Sequence, residues 1–347
     1  MTNSSYRSNT NNGSDERAPA PYELVRFPDK TPSVCTPPGH DKYQSNCLHG
    51  TLFLTLQVQT ALHVSTGVAV MGSDVDKNGI PLIKTMEQGV DKTLLIPGSS
   101  LKGCIRAIYE AITNSRLGVK SKTNNPPDRL PARRQNEICP AGVVFGASGD
   151  NWGWQGLINI RDARCNTNGF GVGYMPALWS PKPQGSNYYD EGKVAGRKFY
   201  YHMVRALDKG EKDGIRVQQA SRNYTFSTQL HFKNLQSKQL GALLIALGQD
   251  SNYPFALKLG AGKPIGMGTM IVKITEVQVM QNQDDLCKHY KSFSNPDNEK
   301  LEGELLQQFI LRHIQAAHSQ NLIEEPQLEQ LSQILSYPTT RQPYENY

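Results

Sequence analysis

Four glycines, Gly260, Gly262, Gly266 and Gly268, stand within nine residues and bracket Lys263 and Pro264, directly ahead of the apolar run Thr269-Met-Ile-Val-Lys-Ile274. Glycine at this density admits positive φ and lets one backbone approach another or a ligand closely. The stretch therefore reads as a tight turn feeding a strand. Its N–H groups could form an anion-binding nest, and a lysine among them suits a phosphate. Two familiar phosphate loops do not fit. A P-loop needs a hydroxyl residue after its lysine, and here Pro264 follows Lys263. A dinucleotide fingerprint opens a helix after a strand, whereas here a strand follows the glycines. A glycine-rich turn that packs closely and binds nothing is the plain alternative.

A second segment, Leu94 to Arg106, reads as strand, turn and helix. Pro97-Gly98 is a turn signal, and Ser99 or Ser100 is a suitable helix N-cap. Leu101, Cys104, Ile105, Ile108, Ala111 and Ile112 form one apolar helical face, while Lys102 and Arg106 share another. A capped helix start with cations nearby suits an anion. An ordinary amphipathic helix with a solvated basic face is again the plain alternative.

Together the two segments resemble the RAMP superfamily of CRISPR-associated proteins. Ile96–Arg106 is similar to its I-P-G-S-S-L-K-G-x-x-R motif, and Gly260–Gly268 to its G-x-G-K-P-x-G-x-G loop. Gly50–Val64 resembles the family's first strand, and Gly196–His202 the G-R-K-F-Y-W-H phrase of one subgroup. Tyr224–Phe232 with Leu235–Leu247 resembles the strand and helix of the second half. The resemblance covers roughly residues 20–280 as one domain with an insertion.

The rest of the chain agrees with this reading. Its 347 residues suffice for one large domain or two small ones, and a net charge of +6 with a pI near 8.9 is compatible with a polyanionic partner. Residues 1–20, rich in Ser, Asn and Thr, are expected to be disordered. The six cysteines are scattered and nothing resembles a signal peptide, so free thiols and a cytoplasmic location are expected. Cys35, His40, Cys47 and His49 can be written as a zinc set, but their spacing matches no standard pattern, and no metal site is expected. The segment Arg116–Arg134 is cationic, and residues 140–200 carry Trp152, Trp154, Trp179 and several tyrosines. This composition suits backbone clamping and base stacking, or else solvated loop and loop packing.

Tyr224–Phe232 alternates as a strand, and Gln236–Leu247 is a helix with Leu240, Leu243, Leu244 and Leu247 inward and Gly248 at its C-terminal cap. Two β-α-β-type halves predict an α+β, ferredoxin-like (RNA-recognition-motif-like) core over 21–280. A large loop-rich insertion is expected at about 115–200, and a mostly helical tail at 281–347. In that tail Leu301, Leu305, Leu306, Phe309, Ile310, Ile314 and Ala317 lie at helical spacing, with a further short helix over Leu328–Leu335. The tail either packs on its own domain or docks on a neighbour.

The resemblance implies a backbone-type subunit of a Type III CRISPR effector complex. Its partners would be guide RNA, target RNA, other RAMP subunits and the large subunit, with no membrane. Guide phosphates would be held by Ser99, Ser100, Lys102 and Arg106, and by Gly260, Gly262, Lys263, Gly266 and Gly268. Arg197, Lys198 and His202 form a second cluster. Slicing members carry an aspartate before a P-x-x-[K/R] phrase, here Pro81–Lys84. The aligned position near Gly79 holds no aspartate, which leaves Asp74 and Asp76 upstream as catalytic candidates. No tightly bound cofactor is implied, with Mg2+ needed for target cutting. A stand-alone guide-processing endoribonuclease using His63, His202 or His231 with Lys and Arg, and a non-catalytic scaffold, are the competing readings.

Overall fold

A computed structural model describes residues 20–118, 124–177, 188–209, 214–280, 291 and 299–343. The serine-rich N-terminus up to residue 19, Lys120, Lys122, Trp179 and the polar stretch 282–290 and 292–298 lie outside the described residues.

In chain order the elements used below are β1 (Tyr22–Arg26), β2 (Leu48–Val58), β3 (Ser65–Met71), β4 (Leu82–Met86), β5 (Leu95–Ile96) and α1 (Gly98–Ile112). Then come α2 (Pro140–Phe145), β6 (Ile158–Ile160), β7 (Ala163–Cys165), β8 (Gly171–Met175), β9 (Gly196–Tyr200) and β10 (Ile215–Gln219). The second half supplies β11 (Thr225–Leu235), α3 (Ser237–Ala246), β12 (Leu257–Lys258) and β13 (Thr269–Met280). The tail adds β14 (Glu299–Leu301), α4 (Gly303–Ser319) and α5 (Glu325–Ile334).

Strict alternation builds the long strands. On β2, Leu52, Leu54, Leu56 and Val58 are buried, while Thr51, Phe53, Thr55 and Gln57 point to the other, partly exposed face. The main sheet has the order β12-β13-β2-β11-β7-β5, with β6 also on β11 and β14 on β13. Its pairings are all antiparallel. Read as β2-α1-β6/β7-β11-α3-β13, this is the predicted β-α-β-β-α-β unit, a ferredoxin-like α+β core. Helices α1 and α3 cover the apolar face. Leu101, Ile105, Ile108 and Ile112 enter from α1, and Leu240, Leu243, Leu244 and Leu247 from α3 or its end. Gly248 follows α3 at φ 75°, the left-handed position that terminates many helices. A second sheet, β8-β10-β4-β3, carries the β3–β4 hairpin at its edge, and β1 pairs with β9.

Three expectations change. The stretch 115–200 is not wholly an insertion, because β6 and β7 within it pair with β11 as the core's second strand. Their three-residue runs, broken at Arg161-Asp162, are too short to show a period. Helix α1 starts at Gly98 with Pro97 as N-cap, and no side chain caps it from the N-cap position. The tail helix begins at Gly303, because Leu301 belongs to β14, and Leu305 is 59% exposed.

The tail packs on its own domain. Helix α4 lies across α3 so closely that a Cβ on Gly241 would sit 1.9 Å from the His313 carbonyl oxygen. Helix α5 packs against α1 and β1. His318 fastens the arrangement. One ring nitrogen meets Asp250 at 2.9 Å and the other meets Glu325, so the imidazole joins α4, the segment after α3 and α5. Burial pushes the ring pKa down, but the hydrogen bonds and charges of Glu325 and Asp250 outweigh this and leave it above its ordinary value near 6.5. A raised folded pKa contributes stability that is full below the unfolded value and lost as pH rises through the folded one. Backbone amides of α4 and α5 should therefore exchange faster at pH 8.5 than at pH 6, after correction for intrinsic rates. His318→Gln should abolish that difference; its persistence in the variant would disprove the role.

Candidate nucleic-acid interface

The two signature segments, far apart in the chain, meet in space. Cys104 Sγ on α1 lies 3.5 Å from the Lys258 carbonyl oxygen at the entrance to the glycine loop. Helix α1 can start where it does because Gly98 has no side chain: a Cβ there would fall 2.1 Å from the Ile160 carbonyl oxygen. The Gly98 N–H donates to Asp162 Oδ1 at 2.8 Å, so a carboxylate of the same chain occupies part of the helix's N-terminal end. Ser99 is exposed and Ser100 half-buried at this end, outside the capping role expected of them.

The cations of α1 are tied down. Lys102 Nζ donates to the Ile158 carbonyl oxygen at 3.0 Å, and burial, then Arg106, lower its pKa. Arg106 Nε donates to Glu110 Oε1 at 2.7 Å and Nη1 to the Gly146 carbonyl oxygen at 3.0 Å. Arg197, expected to meet RNA, instead donates from Nη1 to Glu110 Oε2 at 2.6 Å. Its Nη2 reaches the Ser115 and Arg116 carbonyl oxygens at 2.8 and 3.1 Å. Its side chain is only 9% exposed and Glu110's is 6%, so Arg197 has no surface to offer a phosphate. Arg129, from the cationic stretch, is likewise buried, donating to the Pro28 and Lys30 carbonyl oxygens and to Asn114. Lys198 remains at the surface of β9, its ammonium 4.8 and 5.0 Å from the Tyr22 and Tyr200 ring centres.

The glycine loop is built by contact with the chain just past β2. Gly268 N–H donates to the Ala61 carbonyl oxygen at 2.8 Å, and Ala261 N–H to that of His63 at 2.9 Å. Ile265 and Met267 N–H both reach the Gly262 carbonyl oxygen at 3.1 Å. These four donors are spent inside the protein and do not face a ligand. The glycines are required by positive φ and close approach: a Cβ on Gly268 would lie 1.8 Å from the Leu259 carbonyl oxygen, and one on Gly266 2.3 Å from that of Arg205. The half-buried Lys263 adds charge next to Lys258, whose ammonium is buried. Burial, then Lys263, pulls the Lys258 pKa down to about 7.

His202 is fully buried. Its ring bonds Thr269 Oγ1 at 2.9 Å and the Ala256 carbonyl oxygen at 3.0 Å, and burial foremost lowers its pKa to about 3. His63 is equally inaccessible and bonds the Gln218 carbonyl oxygen at 2.6 Å. Neither can exchange a proton with a bound RNA in this arrangement. Asp74 and Asp76 are exposed in the β3–β4 turn, with Asp74 Oδ2 accepting from the Met71 N–H at 3.2 Å. No group of three or more His, Cys, Asp or Glu placed to hold a metal occurs among the described residues. In the Cys35–His49 set, His40 stacks on Trp154 and both His49 ring nitrogens are engaged, by the Gln44 carbonyl oxygen and the Asn234 N–H.

The sequence reading missed two things. Glu110, the carboxylate between two guanidiniums, lies on the helix side taken as polar. Beside the glycine loop a cavity of about 250 Å3 is lined by Tyr174, Arg205, Arg222 and Met267, with Asp208 as its carboxylate. Arg205 and Arg222 stand in no motif, and the fold alone brings them to Lys263's loop. Removing a buried charge partner leaves the others uncompensated, at a cost of about 3–5 kcal/mol. Glu110→Ala should destabilise the protein by about that much in chemical denaturation, whereas Lys198→Ala should shift stability by less than about 0.5 kcal/mol.

No helix among the described residues is long and apolar enough to cross a membrane. No match to a curated protein was found. The RAMP superfamily model matches residues 55–271, a span that runs from β2 through both signature segments into β13. With well over half of its length matched, and with a ferredoxin-like core around the two segments, the chain belongs to the RAMP superfamily.

Proposed function

We propose that this chain is a guide-RNA-binding subunit of a Type III CRISPR effector complex. It would sit beside other RAMP subunits and the large subunit, in the cytoplasm, with the guide pairing to target RNA. Family membership supports a CRISPR-associated, RNA-binding role. The observation that carries the reading is the joining of the α1 segment to the glycine loop, with Lys263 on the loop beside Lys258 and with Arg205 and Arg222 lining the cavity that the loop's Met267 also lines. Guide phosphates are assigned to these cations and to the Ser99 end of α1. Arg106, Arg197 and His202 hold the scaffold. Backbone contacts carry no sequence information, so binding is salt-dependent and tolerant of sequence.

The 21–280 span is proposed as the RNA-binding unit, and the tail as part of its support. A stand-alone processing enzyme is the weaker reading, because His202 and His63 are buried and the ring of His231 is bonded to Thr51 Oγ1. Cutting of target RNA is assigned to the β3–β4 turn, favoured by the exposure of both Asp74 and Asp76 at a hairpin tip. Two carboxylates suit Mg2+ when phosphate oxygens and water complete its shell; the ion would supply Lewis acidity at the scissile phosphate.

Purified with the products of its neighbouring genes, the chain should carry RNAs of uniform length sharing a repeat-derived 5′ tag. Random fragments, or none, would refute the assignment. In the isolated chain Lys263→Gln should weaken binding of single-stranded RNA several-fold at low salt and lower the slope of log K against log salt by about 0.7. In the assembled complex, Asp74→Asn with Asp76→Asn should abolish target cutting while leaving target binding intact. Undiminished cutting would remove this turn from the chemistry.

A further inference from the structure

The face of the main sheet that α1 and α3 leave uncovered holds a cavity of about 530 Å3 at the end of the strands remote from the glycine loop. Thr51 and Phe53 of β2, Gln229, His231 and Lys233 of β11, and Arg161 after β6 form its working wall. These are alternate residues on their strands, so the pleat points them to one side. Phe53 lies opposite Gln229, and Thr51 opposite His231. His231 Nδ1 bonds Thr51 Oγ1 at 2.8 Å, which fixes the imidazole on the cavity wall. None of the residues lining the cavity is an aspartate or glutamate. On the neighbouring strand Glu276, opposite Phe53, is engaged by Gln278 Nε2 at 2.6 Å and Lys300 Nζ at 3.8 Å.

Cations without a carboxylate along the wall, an aromatic ring on a central strand and amide side chains between them suit one class of ligand. An acidic peptide would use the charges and leave Phe53 idle. A lipid or apolar helix would bury Arg161, Gln229 and Lys233 at a cost. A nucleic-acid strand uses every part: a base stacks on the ring, amides meet the base edge, and phosphates meet the cations. The cavity is also large enough for a nucleotide, since small-ligand sites span roughly 300–1,000 Å3.

We propose that this cavity is a second RNA subsite, in which a single-stranded base stacks on Phe53 and its flanking phosphates meet Arg161 and Lys233. It does not depend on the glycine-loop assignment. From Thr51 to Val58 the strand runs about 23 Å at roughly 3.3 Å per residue, and the glycine loop joins the chain beyond Val58, so the two sites are separate. A strand of RNA bound at one leaves the other accessible.

The test uses the full chain and fluorescein-labelled octauridylate carrying one 4-thiouridine. Photo-crosslinking with peptide mapping should place the adduct on β2 or β11, at Phe53 or His231. Phe53→Leu should weaken binding by about tenfold. Arg161→Gln with Lys233→Gln, both surface changes that preserve the fold, should lower the salt slope by about 1.4. Lys263→Gln should leave the Phe53 adduct in place; loss of its own effect bears on the glycine loop alone. Wild-type affinity in both cavity variants, with adducts confined to other elements, would overturn the proposal.

Discussion

Glu110 is the point through which several parts of this molecule are held. Its two carboxylate oxygens take one guanidinium each, Arg106 from its own helix and Arg197 from β9. Arg106 continues to the Gly146 carbonyl oxygen after α2, and Arg197 to the carbonyl oxygens of Ser115 and Arg116 beyond α1. Helix α1, the turn after it, the end of α2 and the β1–β9 ribbon therefore share a single buried charge network. Such a network is costly to desolvate and tolerable only when each member is paired. Phe27 completes it, its ring within 5.1 and 5.7 Å of the Arg129 and Arg197 guanidinium carbons. A motif that ends in arginine four residues after lysine thus divides its labour. Arg106 braces the scaffold, and Lys102 is tethered across the sheet edge by the Ile158 carbonyl.

The glycine loop follows the same logic with geometry in place of charge. Its glycines let it lie flush against His63, Leu259 and Arg205, where side chains would collide with backbone oxygens. The outcome is positional: Gly266 and the Arg205 backbone are fixed to one another, and Thr269 enters β13 already bonded to His202. A phosphate-binding role for this region consequently rests on the cations the loop collects, more than on its own amides.

The parts legible in the sequence are those with a long period or a pronounced local constraint. The alternation in β2 and β11, the apolar faces of α1 and α3, and positive φ at the glycines could be read directly, and they suffice for a ferredoxin-like core. What was hidden depends on tertiary contact. The three-residue strands β6 and β7 gain their identity only from β11. Glu110, an acid in an ordinary helix, becomes central because Arg197 arrives from far along the chain. Arg197, Arg129 and His202 looked like ligands of RNA because charge and aromatic neighbours are visible in a sequence while burial is not. Leu305 fits the apolar stripe of α4 by spacing, yet it falls on the side turned from α3.

The main sheet ends in very short strands. Its outermost members, β12 and β5, contribute two residues each, and β14 adds three beside β13. Strands this brief offer little backbone of their own to a second chain, and residues 271–276 of β13 lie between the two pairings. In the complex proposed above, uncontrolled strand addition would join neighbours in the wrong order and without limit. Contacts between neighbours in such an assembly would fall to loops and hairpins, and its length would then be set by the RNA that threads it and not by the sheets.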